Sequence, residues 1–368
     1  TKRMVIPVTA GDYQRLSAKR LPRFLSDYID GGAGEEVSVF RNVSDFSEIR
    51  LCQRVMRDVS HIDTRTHLFG HEVEMPLALG PVALAGMYRR RGEAAAARAA
   101  SACGVPFYLS TMGICPVEDV QAAAGGDTWY QLYMLRDRAI VEAVMARVAE
   151  AGVETLVFTV DLPMLGKRYR DDHNGVMAGG VRGRLSKALQ LLSRPRWLYD
   201  VGIMGKPHDF GNLRGVVKGI HDLDGFKAFI DSQFDPSVTW KDIDWIRERW
   251  TGKLVIKGVM CAEDARSACE AGADAVVVSN HGGRQLDGAL SSIRVLENIV
   301  DAVGNRVEVH FDSGIRCGQD VLKALALGAK GCMIGRSYVY GLGAMGEAGV
   351  TKALEVIHKE LDTSMALC

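Results

Sequence analysis

Eight short apolar runs recur along this chain, each stopped by glycine or polar residues and followed by a stretch of helical spacing rich in Ala, Glu and Arg. Four lie in the first half, at Met75 to Leu84, Phe107 to Thr111, Thr128 to Met134 and Thr155 to Asp161. The others are Leu254 to Val259, Ala275 to His281, Val307 to Gly314 and Gly331 to Ser337. Between them run helical patterns such as GEAAAARAASACG, AEDARSACEAGA and GQDVLKALALGA, each closing near a glycine suited to end a helix. Apolar strands that alternate with helices are parallel strands covered on their outer side. Eight such units in roughly 250 residues or more predict an α/β fold of the closed (β/α)8, or TIM, barrel type. An open dinucleotide-binding sheet is the alternative. No GxGxxG follows the first strand, and GAGEE at Gly32 to Glu36 comes too early and follows no strand.

Two segments exceed the barrel count within what reads as a single domain over 1–368. Residues 1–74 carry helical patterns and a short β-like stretch, expected to cap one end, leaving 75–161 and 254–368 as the barrel. Residues 162–253 form a connection far longer than an ordinary strand-to-helix loop. Within it, 176–218 holds eight Lys or Arg against two Asp, and Leu185, Ala188, Leu189 and Leu192 share one helical face beside Trp197 and Tyr199. That composition predicts a basic amphipathic element lying on an anionic membrane surface. A lid over the active site with a solvated basic face is the rival reading.

Composition narrows the class. The 368 residues hold 45 Lys plus Arg and 45 Asp plus Glu, which argues against a nucleic-acid partner. Forty glycines without a three-residue period exclude collagen. The eight cysteines are scattered, with no CxxC, so they read as reduced packing residues, and no metal site is expected. Neither a signal peptide nor an 18-residue apolar run is visible, which predicts a cytoplasmic chain whose membrane contact is peripheral.

In such a barrel, chemistry sits at the carboxyl ends of the strands. The sixth run ends in SNHGGRQLDG, placing Ser279, His281 and Arg284 near a Gly-Gly turn. The fourth ends in VDLPMLGKRYRD, in which Asp161 can pair with His281 and Arg168 can add a second guanidinium. Two arginines and a histidine suit a carboxylate substrate with a proton to be moved. The seventh and eighth runs end in DSGIRCG and IGRS, and Asp312, Gly314, Arg316, Gly335 and Arg336 fall where this fold often binds phosphate. Lys257, inside LVIKGV, needs an anionic partner, either a reduced cofactor ring or a structural carboxylate.

Taken together, SNHGGRQLD, VIKGV, FDSGIRCG, IGRS, TVDLPMLGKRYRD, YQLY and DYIDGGA resemble the FMN-dependent L-2-hydroxy acid dehydrogenases and oxidases, over nearly the whole chain. Within that family, GMYRRRGE, LSTMGICPVED and WLYDVGIMGKPHDFGN are most similar to the quinone-linked bacterial L-lactate dehydrogenases. The resemblance implies FMN as cofactor and oxidation of a small L-2-hydroxy acid to a 2-oxo acid, most readily L-lactate to pyruvate. It makes His281 the base and Asp161 the carboxylate that orients it. Arg284, Arg168 and Tyr28 would hold the substrate carboxylate, Tyr133 its hydroxyl, and Met112 with Leu165 its side chain. Pro81, Val82, Ala83, Ser110, Gln131, Thr159, Lys257 and Ser279 would lie about the flavin ring. Asp312, Gly314, Arg316, Gly335 and Arg336 would hold the ribityl chain and phosphate.

Electrons are expected to pass to a quinone or to O2. Ala83 departs from the glycine common in quinone-linked members and matches oxidases. A homotetramer, peripherally attached on the cytoplasmic side of a membrane, follows from the same resemblance. Members of the family continue past the position of Cys368, and the chain does not begin with Met, so a short further segment is expected at each end. Two other classes make opposite expectations: a non-redox barrel enzyme acting on a phosphorylated metabolite would be colourless, and an inactive FMN-binding relic would stay oxidised with every 2-hydroxy acid.

Overall fold

A computed structural model describes residues 6–126, 128–174, 180–217 and 223–368. Eight strands, β1 (Leu77–Leu79), β2 (Phe107–Ser110), β3 (Thr128–Leu132), β4 (Thr155–Thr159), β5 (Lys253–Val259), β6 (Ala275–Val278), β7 (Glu308–Phe311) and β8 (Gly331–Ile334), pair in parallel and close into a barrel in chain order. This is the expected (β/α)8 fold. Side-chain alternation explains the closure. Ala78, Tyr108, Trp129, Val157, Val255, Val277 and Met333 fill the interior, while their neighbours Leu77, Leu109, Tyr130, Phe158, Ile256, Val276 and Ile334 pack beneath the outer helices.

The strands are shorter than the apolar runs. The run from Met75 to Leu84 yields only three paired residues, since Pro76 and Pro81 flank it without a backbone donor. Asp161, His281 and Gly314 therefore sit on the loops just beyond β4, β6 and β7.

The amino-terminal residues supply helices at both the side and the mouth of the barrel. Ala10–Arg20 begins with a capping box, Thr9 with Asp12, and packs on the helix Arg336–Met345. Arg23–Asp30 lies over the mouth, its carboxyl end gripped by Arg284 and Arg336. At the opposite end, the hairpin Thr66–Leu68 with His71–Val73 plugs the barrel: Phe69 stacks on His310 at 4.8 Å and meets Trp129 edge-on at 4.9 Å.

The long connection after β4 forms the helices Tyr169–His173, Gly180–Leu192, Leu223–Gln233 and Lys241–Arg247, joined by shorter turns. Residues 176–179 and 218 of the basic segment lie outside the described residues. The exposed face contains Leu185, Ala188, Leu189 and Leu192. Trp197 corrects the expectation of an outward aromatic pair: it is buried, donates from Nε1 to the Met87 carbonyl at 2.7 Å and meets Phe24 edge-on, whereas Tyr199 is exposed. All eight cysteines are free; Cys115 and Cys332 are buried as packing residues, but Cys52 and Cys261 are exposed. Among the described residues no helix is long and apolar enough to cross a membrane, and no group of three His, Cys, Asp or Glu could hold a metal ion.

Candidate active site

The two-residue period that fills the barrel interior also selects the side chains at its mouth. Continued beyond the apolar layer, it gives Gly80 and Val82 from β1, Ser110 and Met112 from β2, and Gln131 and Tyr133 from β3. It then gives Thr159 and Asp161, Lys257, Ser279 and His281, Asp312 and Gly314, and Gly335 from β4 to β8. A cavity of about 1300 Å³ opens there. Tyr28, Pro81, Val82, Ala83, Met112, Tyr133, Leu165, Arg168, Lys257, His281, Arg284, Asp312, Gly314, Arg316, Gly335 and Arg336 all line it. Ser110, Gln131, Thr159, Asp161 and Ser279 sit at the same strand ends outside its lining, all but Asp161 buried.

His281 is held in a strained turn. Its φ of 58° lies in the left-handed region, where a side chain with a Cβ is uncommon, and Gly282 and Gly283 follow at 65° and 75°. Nδ1 lies 2.9 Å from Asp161 Oδ1, leaving Nε2 as the ring nitrogen for a proton in transit. Burial pushes the imidazole below its ordinary range; Asp161 opposes this, while the charges of Lys257 and Arg168 reinforce it, and the net direction is down. The histidine is thus kept neutral. Close approach of Asp161 depends on Gly258, whose φ is +112° and where an added Cβ would fall 2.7 Å from the carboxylate carbon.

Lys257 takes a carboxylate partner. Its Nζ lies 3.1 Å from Asp312 Oδ2 and donates at 3.1 Å to Ser279 Oγ, which itself donates to Asp312 at 2.6 Å. Burial alone would lower the lysine pKa, but Asp312 and Asp161 outweigh it and the net direction is up. Burial would likewise raise Asp312, yet Lys257 and the Ser279 hydroxyl bring it down. Both groups are therefore charged. A flavin edge beside Lys257 would share a cation already paired.

Three arginines gather about Tyr28 and the end of the helix Arg23–Asp30. The Arg284 guanidinium lies 4.7 Å over the Tyr28 ring, and Arg168 lies 5.9 Å from the same ring. Arg284 Nη1 donates to the carbonyls of Tyr28 and Gly31 at 2.5 and 2.8 Å. Arg336 donates to those of Ile29, Gly282 and Gly31 at 2.8, 2.8 and 2.9 Å. Burial, then the charges of Arg284 and Arg316, push Arg336 down to about 9. Burial, then Arg284, also lowers Arg168. Positive charge exceeds negative charge here, an environment suited to bound anions.

Buried polar atoms test whether a cofactor fits. Gln131 accepts from Ser110 at 3.1 Å, but its Nε2 is buried without a protein partner, as are Thr159 Oγ1 and Asp161 Oδ2. Buried polar groups are normally paired, so such a set at the rim of a large cavity fits a bound polar ring. At the end of β8, Gly335 precedes the helix Arg336–Met345, and a Cβ there would meet only Val82, at 3.5 Å. The site accommodates a flavin and its phosphate.

Sequence reading offers the long connection as a lid over the active site only as the rival to a membrane element, and assigns none of its residues beyond Leu165 and Arg168 to the cavity. Trp197, Leu198, Lys206, His208, Phe210 and Phe234 join its lining, as do Phe24 and Leu25 from Arg23–Asp30. Apart from Phe234, the residues from the connection fall within WLYDVGIMGKPHDFGN, a stretch whose resemblance assigns none of them to the cavity; the closing of a remote segment over the mouth brings them there.

The model for FMN-dependent dehydrogenase matches residues 17–368. An L-lactate dehydrogenase from Caulobacter sp. (strain K31) is 51% identical over 364 residues, covering 99% of this chain and 95% of its own. One from Xanthomonas oryzae pv. oryzae (strain PXO99A) is 52% identical over 361 residues, covering 97% and 92%. Among solved structures, the monotopic membrane protein (S)-mandelate dehydrogenase aligns with a TM-score of 0.92 at 37% identity, over 99% of this chain and 95% of its own. A mandelate oxidase aligns with a TM-score of 0.83 at 36% identity, over 98% and 94%.

Proposed function

Because the chain belongs to the FMN-dependent dehydrogenase family and is an FMN-dependent L-2-hydroxy acid dehydrogenase, we propose that it oxidises L-lactate to pyruvate at a membrane surface and passes the electrons to a quinone. The observation that carries the chemical part is His281, paired through Nδ1 with Asp161, in one cavity with Arg284 and Arg168. In this reading the two guanidinium groups hold the substrate carboxylate, and Tyr28, faced by both, bounds that subsite. Tyr133 lies toward the substrate hydroxyl, its phenol kept protonated because burial, then Asp161, raises its pKa.

His281 takes the substrate proton at Nε2, and Asp161 at Nδ1 stabilises the imidazolium that forms. FMN, when bound, accepts the two electrons. Ser110, Gln131, Thr159, Lys257 and Ser279 with the turn Pro81, Val82 and Ala83 are assigned to its ring. Asp312, Gly314, Arg316, Gly335 and the start of Arg336–Met345 are assigned to its ribityl chain and phosphate. Arg336 serves this corner chiefly by tying the end of Arg23–Asp30 to the Gly282 turn.

A short aliphatic substrate is favoured by Met112 and Leu165, which narrow the cavity with unbranched and branched apolar groups. The membrane reading rests on the outward Leu185, Leu189 and Leu192 and on similarity to a monotopic membrane protein. A quinone suits that location. Ala83, which lines the cavity, and the similarity to a mandelate oxidase favour the second reading, O2 as acceptor. A homo-oligomer, a tetramer by the family resemblance, would cover the exposed Phe40, Leu286 and Leu290. Steady-state comparison of L-lactate, glycolate and L-mandelate, each with a soluble quinone analogue and with O2, tests the reading. L-Lactate with quinone should give the highest kcat/KM; a preference for L-mandelate or for O2 would overturn the substrate or the acceptor.

A further inference from the structure

The long connection is fastened to the barrel at the exit of β3. Leu135 and Phe234 form an isolated antiparallel bridge. Arg136 donates from its backbone to the Gln233 carbonyl at 2.8 Å and from Nε to the Phe234 carbonyl at 2.9 Å. Arg138 Nη2 completes the fastening with Asp235 and Asp242 at 2.9 and 3.0 Å. This array fixes the backbone of Phe234 against Leu135, which follows Tyr133 closely in the chain. The Phe234 side chain is only 7% exposed, lines the same cavity and meets the Tyr133 ring edge-on, with centroids 6.0 Å apart at 75°.

From this geometry we infer that Phe234 is a positioning residue for substrate oxidation, acting through Tyr133. The inference rests on the role of Tyr133 in the proposed function. Tyr133 follows the last paired residue of β3, so its backbone is not held by the sheet on both sides. Its phenol needs a fixed ring to meet a hydroxyl within hydrogen-bond range. An edge-to-face contact restrains the ring plane, which a flexible aliphatic side chain does not. The fastening by Arg136 and Arg138 makes that restraint depend on the docked connection, so one segment both closes the cavity and orients a group inside it.

A double-mutant cycle tests this in the FMN-loaded enzyme. Phe234→Leu should lower kcat/KM for L-lactate about three- to tenfold, the range of an edge-to-face aromatic pair. In a Tyr133→Phe background the same change should cost less than about twofold. Binding of oxalate, read as a shift in the flavin absorbance, supplies a readout independent of turnover. It should weaken with Phe234→Leu and barely change when that substitution is added to Tyr133→Phe.

Phe234→Tyr, which keeps the ring edge, should restore both readouts. If Phe234→Leu fails to take up FMN, Phe234→Met carries the same test with a similar volume and a side chain that adapts more readily to the gap. Equal losses in both backgrounds would overturn the inference and make Phe234 an ordinary packing residue. If wild type reduces its flavin with another 2-hydroxy acid but not with L-lactate, the substrate assignment fails while the cycle, run with that acid, still decides the role of Phe234.

Discussion

At the barrel mouth Lys257, Ser279 and Asp312 satisfy one another within 3.1 Å inside the protein, whereas the helix Gly180–Leu192 turns Leu185, Leu189 and Leu192 outward. On the inward side of that helix Gln190 accepts from the Phe24 amide at 2.9 Å and, with Ser186, donates to the Asn174 carbonyl. Gln190, Ser186 and the core-packed Leu191 thus dock the helix, while Leu185, Leu189 and Leu192 leave more apolar surface outward than an ordinary surface helix does. The contrast teaches that the mouth is arranged for chemistry within one chain. The connection serves the cavity through Trp197 and Phe234 and also turns leucines outward, and the proposed function assigns that outward face to the surface of a membrane.

Breaking the mouth should have the largest effects. His281→Gln should keep FMN, seen in the visible spectrum, and lose about a thousandfold in kcat, the scale of a missing base. Near-normal turnover would remove His281 from the mechanism. Lys257→Met would leave Asp312 buried without its cation, destabilising the fold by about 3–5 kcal/mol and weakening FMN retention. Thermal unfolding with and without added FMN measures both; an unchanged melting temperature would make the ion pair expendable.

The pH profile sharpens the same side of the comparison. A base must be unprotonated to act, and burial lowers the His281 pKa beneath its ordinary 6.5. The acid limb of kcat/KM should therefore bend below that value and then fall about tenfold per unit. A limb bending well above it would mean that Asp161 prevails over burial.

The smallest effect on turnover is expected from the outer helix. Replacing Leu185, Leu189 and Leu192 together by Ser should leave oxidation of L-lactate with a soluble acceptor unchanged while reducing flotation with anionic vesicles. Flotation equal to wild type would assign those leucines to a subunit contact instead.

Legibility in the sequence follows the same division. The barrel can be read because each strand is a local apolar run, and its ends carry His281, Asp161 and Lys257 at a two-residue period that continues the interior. Proline trims the first strand, a local effect also written in the sequence. The partner of Lys257 stays open at that level because Asp312 lies 55 positions away and pairs with it only across the closed barrel. Trp197 misleads for a related reason: beside an apolar helical face it reads as outward, but the Met87 carbonyl captures its indole N–H. Phe234 carries no signal at all, since its place beside Tyr133 depends on how a segment of about ninety residues returns to the barrel.

Lactate oxidation by this chain is tested most directly by the anaerobic visible spectrum of the purified protein before and after L-lactate, followed by a soluble quinone analogue. The flavin absorbance should bleach with L-lactate and return on addition of the quinone. A flavin that stays oxidised with L-lactate and with every other L-2-hydroxy acid would refute the assigned chemistry.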